Sequence, residues 1–254
     1  MFKVINADLR KLIFHAGFRS CIIFVSVYLG GYTLLMKLIT HFVNDTVYAD
    51  ELIACYGSVA VLLISACTLV TTVSDYADGC IRNKLISGAG RNAVFLSACI
   101  SGAIQAIILS VTALIASVIF GLLFTDGLGT MTFTDLADRW LVISLAGVSI
   151  AVFSTMLIML LGGKKSAYTA GIATAVGLNI FSLEVMDKLY PENGVCTLSG
   201  MKLKLYSFYD SYVPYAYPAV PVHHGMEKYL LGAFGMIAVS VIIGLVIFNR
   251  KEIQ

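Results

Sequence analysis

The sequence predicts an all-α, polytopic membrane protein. It has six transmembrane helices, an N-terminal amphipathic interfacial helix and a structured external loop between helices five and six. Three observations predict this. Of 254 residues, 59% are hydrophobic and 13% charged, with mean hydropathy +0.89, whereas a soluble domain carries roughly 25% charged residues. The apolar residues collect in blocks near the roughly 20 residues that cross a bilayer. The remaining charges sort by sign between the connections. The chain reads as one domain, 1–254.

Residues 1–19 open the chain as an interfacial elbow. Phe2, Ile5, Leu9, Leu12, Ile13 and Ala16 follow helical spacing, and Asp8, Lys11, His15 and Arg19 follow it on another face. Such a helix lies in the membrane interface, with Lys3, Arg10, Lys11 and Arg19 toward lipid phosphates. No small-x-small cleavage site follows the apolar run, which argues against a signal peptide.

The six spans are Cys21–Met36, Leu52–Val73, Val94–Phe124, Leu141–Leu161, Ala167–Leu183 and Tyr229–Phe248. The third is long enough to tilt or protrude. With the N-terminus in the cytoplasm, eleven of the seventeen Lys and Arg residues fall on that side, against four acids. That is the positive-inside pattern, and an even number of spans returns Arg250 and Lys251 to the same side. A net charge of +2 gives no argument for nucleic acid.

The connections differ in character. Ile39–Glu51 and Thr125–Trp140 are short, acidic and external. The first holds the glycosylation-type triplet Asn44-Asp45-Thr46, and the second holds Asp126, Asp135 and Asp138. Gly162–Ser166 is a tight basic turn in which Lys164 and Lys165 anchor the cytoplasmic side, and it misses the phosphate-loop pattern. Residues 184–228 form the one long loop, with all four prolines and a run of tyrosines. Its aromatic content predicts a structured extracellular cap, with substrate contact and a plain interfacial plug as open alternatives. The fifth span carries Ala167-x-x-x-Gly171, Gly171-x-x-x-Ala175 and Ala173-x-x-x-Gly177, spacings that suit close packing within the chain or between two chains.

The spans carry no ionisable residue at mid-depth, so a proton- or sodium-coupled pump lacks its usual groups. The six cysteines show no Cys-x-x-Cys pair and read as small apolar residues. The His223-His224 doublet cannot place both rings on one helical face, and no metal site is expected. A hydroxyl row at Ser65, Thr68, Thr71 and Thr72, with Asn179 in the fifth span, suits a translocation path. The same hydroxyls are able to bond their own helix backbone instead.

The most informative segment is the polar bridge at 74–93. Asp75-Tyr76 precedes Gly79-Cys80-Ile81-Arg82-Asn83-Lys84-Leu85, and Gly88, Gly90-Arg91 and Phe95-Leu96-Ser97 follow. This resembles the segment found in type-2 ABC exporter permeases, the membrane subunits of ATP-driven transporters. There an acid and an aromatic precede Gly-Thr-Ile-Arg-Asn-Lys-Leu. Cys80 stands for the usual Thr and Gly90 for the usual Ser, and neither change removes a charge.

The resemblance implies a cytoplasmic coupling loop that docks in a cleft of a separate ATPase subunit. Arg82, Asn83, Lys84 and Arg91 supply polar contacts, Leu85 and Ile86 apolar anchors, and Asp75 and Asp78 neutralise bases or cap the helix. It implies a bacterial inner-membrane subunit with both termini cytoplasmic, working beside a second permease subunit as a homodimer or heterodimer. No catalytic group or cofactor is expected in this chain, with ATP and Mg in the partner. The apolar path with its hydroxyls and Asn179 suits an amphipathic cargo, such as a peptide antibiotic or bacteriocin, exported for secretion or self-immunity. The rival readings are a non-transport membrane protein (a sensor subunit or polytopic enzyme) and an ATP-independent channel.

Overall fold

The computed structural model describes residues 2–43, 46–129, 131–162, 165–191, 196, 198–219 and 224–250. Lys164, Lys251, Asn44, Asp45 and His223, each given a reading above, lie outside them. Among the described residues the chain is all helix and turn: α1 (Phe2–Phe14), α2 (Ala16–Val43), α3 (Asp50–Ala77), α4 (Cys80–Ile86), α5 (Arg91–Phe124), α6 (Phe133–Leu161), α7 (Lys165–Leu189), α8 (Gly200–Tyr212) and α9 (Met226–Arg250), with a 3-10 turn at Tyr217–Ala219. Six helices (α2, α3, α5, α6, α7 and α9) are long and apolar enough to cross a membrane. The chain is a multi-pass membrane protein.

Each expected span lies inside one of these helices, but the helices run further. α2 reaches Val43 and α3 starts at Asp50, so the expected loop Ile39–Glu51 is mostly helix. Asp50 and Glu51 fill the first turn of α3, where negative charge meets the positive end of the helix dipole. α6 starts at Phe133, well before the expected span start at Leu141, because Thr132 and Asp135 form a reciprocal capping box that satisfies two N-terminal N–H groups. The remaining short connections pair with each other. Asp126 N donates to Val47 O at 2.9 Å, Ala49 N donates to Gly127 O at 2.9 Å, and Lys37 bridges to Asp126 at 3.1 Å.

α3 and α6 form the centre of the bundle and are the most buried spans, while α2, α7 and α9 present long apolar faces outward. Exposed Ile, Leu and Phe on those faces suit lipid rather than water. Glycines set the closest approaches. A Cβ at Gly171 would lie 2.4 Å from Leu69 Cδ2, and one at Gly244 would lie 2.0 Å from Phe95 Cζ. Ala167, Gly171 and Ala175 are buried, so the first two small-residue spacings on α7 pack within the chain against α3. Ala173 and Gly177 face outward.

Both described ends of the chain lie at one end of the bundle, the end that carries α4. Asp8 of α1 touches Ser97 near the start of α5, and Arg91 Nη1 donates to Asn249 O near the end of α9 at 2.8 Å. The opposite end carries α8 and the 3-10 turn.

Candidate functional site

α4 is a seven-residue helix cut out of the bridge by two glycines in the left-handed region. Gly79 (φ 67°) turns the chain out of α3, and Gly88 (φ 87°) turns it toward α5. The carbonyls left at the helix ends are satisfied in those turns. Asp78 N donates to Ser74 O at 2.9 Å, Gly79 N to Tyr76 O at 3.0 Å and Ala89 N to Lys84 O at 3.1 Å. A side chain at either glycine would strain a backbone that L residues rarely adopt.

The helix is fastened by one face. Ile81 is 2% exposed and sits in a core with Phe95, Met159 and Phe248, with Leu85 half-buried beside them. Tyr76 donates to Met159 O at 3.1 Å and ties the end of α3 to α6. The opposite face is open. Arg82, Asn83 and Arg91 are exposed, and Ile86 is 72% exposed. Arg82, Leu85, Ile86, Gly88 and Arg91 border a shallow open concavity. Of the two apolar anchors expected to face a partner, Ile86 stands free and Leu85 is shared with the bundle. Ile81, which the motif reading passed over, is the internal anchor.

Charge divides these residues further. Lys84 forms an ion pair with Asp8, whose side chain is 6% exposed, and Ser97 Oγ donates to the other Asp8 oxygen at 2.5 Å. Lys11 bridges Asp75 at 2.8 Å and Asp78 at 2.9 Å, and donates to Cys80 Sγ at 3.1 Å. Burial works against the Lys11 charge, but hydrogen bonds to Asp75, Asp78 and Cys80 outweigh it and hold its pKa above the ordinary lysine value. Lys11 beside it holds the Asp78 carboxyl below the usual carboxylate range. Lys84, Asp75 and Asp78 are thus engaged inside the chain.

α1 therefore sits differently from a simple interfacial helix. Its Asp8 and Lys11, and His15 just after its end, turn toward the bundle mouth, where His15 Nε2 lies 3.1 Å from Ser74 Oγ. Lys3, Arg10 and Arg19 remain exposed, together with Phe2, Ile13 and Phe14, which suits an interface. The signal in the sequence was Asp8. An acid among bases repels lipid phosphate and needs a partner of its own.

The hydroxyl row divides as well. Ser65 and Thr68 are buried on α3, and Thr68 donates to Ile64 O at 2.8 Å. Thr71 donates to the backbone of Cys67 and Thr68 and lies 3.1 Å from Gln105 Oε1. Gln105, 1% exposed on α5, donates to Cys67 Sγ at 2.6 Å. Thr71, Thr72, Gln105, Asp8, Lys11 and His15 line a cavity of about 20 Å³ between α1, α3 and α5, room for a single water. Asn179 lies half-buried on α7, away from this cavity. Thr68 and Thr71 serve their own helix first, and the row is not one continuous lining.

Among its described residues the expected cap is built on tyrosine. α8 packs on α7 and α9. Tyr209 donates to Leu178 O at 2.9 Å and meets Phe181 edge-on at 4.7 Å. Asp210, 3% exposed, accepts from Tyr190 at 2.9 Å and lies 2.7 Å from His224 Nε2. Burial, then the Asp210 hydrogen bond, pushes the Tyr190 pKa up to about 12. Comparison with known proteins finds no family model that matches the chain and no curated protein that matches it.

Proposed function

We propose that the chain is the membrane-spanning permease subunit of an ATP-driven exporter of the type-2 ABC class. Its work would be to move an amphipathic substrate, such as a peptide antibiotic or bacteriocin, out of a bacterial cell. ATP and Mg would act in a separate nucleotide-binding subunit docked on α4, and a second permease subunit would complete the path. Both termini and α4 would face the cytoplasm.

The observation that carries this reading is the build of α4. A short helix is fixed to the bundle by Ile81 and the Asp8–Lys84 pair, while Arg82, Asn83 and Ile86 stay free on its other face. An Arg side chain suits bidentate pairing with a carboxylate, and Ile86 offers an apolar contact that water does not reward. A push on such a face reaches α1, α3 and α5 together, as a rigid-body shift of packed helices.

Reconstitution tests the proposal. Vesicles holding the chain and an ATPase subunit that co-purifies with it should move an amphipathic peptide only with ATP and Mg. Vesicles with the chain alone should be silent. Ion conductance by the chain alone would point to a channel instead.

A further inference from the structure

Pro214, Tyr215, Ala216, Tyr217 and Pro218 are all buried, although they belong to no long helix and follow α8 at the cap end. Tyr215, 1% exposed, meets Phe153 of α6 edge-on at 6.2 Å and lies against Ser154 and Ser65, the latter near the middle of α3. Ser65 Oγ has no well-aligned hydrogen-bond partner among the described residues, although Tyr215 is beside it. Irregular backbone this deep in a bundle is tolerated only where protein covers it.

Two glycines make room for this segment. A Cβ at Gly57 of α3 would lie 2.7 Å from Pro218 O, and one at Gly232 of α9 would lie 2.0 Å from the Tyr217 hydroxyl and 2.4 Å from Tyr212 O. Tyr217 donates to Ser211 O at 3.3 Å and meets Tyr229 of α9 edge-on at 4.6 Å. Asp210 and His224 flank the segment in the chain and close on each other at 2.7 Å, with Tyr190 as a second donor to the same carboxylate. His224 N lies 3.3 Å from the Tyr229 hydroxyl. The segment is therefore seated by shape in two notches and tied at its base by polar contacts.

We infer that Pro214–Pro218 is a built-in plug of the cap-end half of the bundle, held shut by Asp210 and His224, and that its withdrawal opens the space beside Ser65 to the cap side. The inference goes beyond the exporter reading and needs no ATPase. It concerns which residues water reaches, so it can fail while that reading stands, and the reverse.

Cysteine accessibility in the full-length chain, in lipid nanodiscs, tests it. The background is Cys196→Ser, since Cys196 is the exposed thiol. Ser65→Cys should react slowly with a water-soluble maleimide, with the label located by mass spectrometry. Adding His224→Ala or Asp210→Asn should speed labelling at residue 65 by about tenfold or more, because a charge-assisted contact holding the closed state is lost. Gly57→Val gives an independent route, wedging the segment out with the base contacts intact, and should do the same. Fast labelling of Ser65→Cys in the otherwise intact protein would overturn the inference. So would unchanged labelling in whichever of these variants folds, judged by helical circular dichroism.

Discussion

Asp8 of α1 is buried against Lys84 of α4, and Ser97 of α5 completes the carboxylate. Helices α1, α4 and α5 thus meet on one acid, which lies far from both partners in the chain. The pair fastens the helix that carries the exposed Arg82 to the N-terminal helix. α1 and α4 are expected to move as one body.

Breaking that pair from one side leaves the other charge desolvated. Asp8→Asn or Lys84→Met alone should destabilise the protein by about 3 kcal/mol. The double variant should recover much of that loss, because replacing both partners removes the uncompensated charge. Thermal unfolding in detergent across the four proteins reads the coupling. Additive losses would place the two residues in separate interactions.

The Lys11 contacts predict a pH range for the hold on α1. The Asp78 carboxyl is held low by Lys11, so its contribution is complete above the ordinary carboxylate value and is lost as pH falls through the lowered one. Lys11 is raised, so its contribution is complete below the ordinary lysine value and fades as pH rises past it. Hydrogen exchange of α1 amides should therefore be flat from about pH 5 to 9, once corrected for intrinsic rates, and should accelerate below about pH 4. Acceleration near neutral pH would contradict a hold set by Lys11 and Asp78.

Gly171 and Gly177 give a contrast on one helix. Gly171→Val should cost about 1–3 kcal/mol, because its side chain has to displace Leu69. Gly177 faces open space, so Gly177→Val should leave unfolding unchanged in the single chain. A fall in dimer content for Gly177→Val alone, measured by cross-linking in membranes, would place a second copy on that face.

Gln105→Leu asks whether the buried amide is structural. Thr71 keeps its backbone acceptors and the Cys67 thiol is a weak one, so the loss should stay within about 1 kcal/mol. Melting of the variant checks it, and a loss of several kcal/mol would mean that the amide holds α3 to α5.

The cores of the six spans were legible because a bilayer imposes both a length and an apolar composition. Their ends were not, because each helix continues into polar residues that satisfy its terminal groups. Thr132 and Asp135 are a readable capping signal of that kind, and the hydropathy pattern hides them. The α4 bridge stood out by its charges and its motif, but the division of labour within it depended on distant residues. Nothing near Lys84 in sequence announces Asp8, and nothing near Leu85 announces Phe248. The tyrosine-rich cap was recognisable by composition. Its depth was not, since Pro214–Pro218 has no period, and the notches that receive it, Gly57 and Gly232, lie on two other helices.

Co-purification tests the central claim most directly. A tagged chain solubilised in mild detergent should bring down an ATPase subunit with Walker motifs. Arg82→Glu combined with Ile86→Asp should abolish that recovery while leaving the melting temperature unchanged, because both side chains are exposed. Recovery of no ATPase by the intact chain, or full recovery by the double variant, would contradict a docking role for α4.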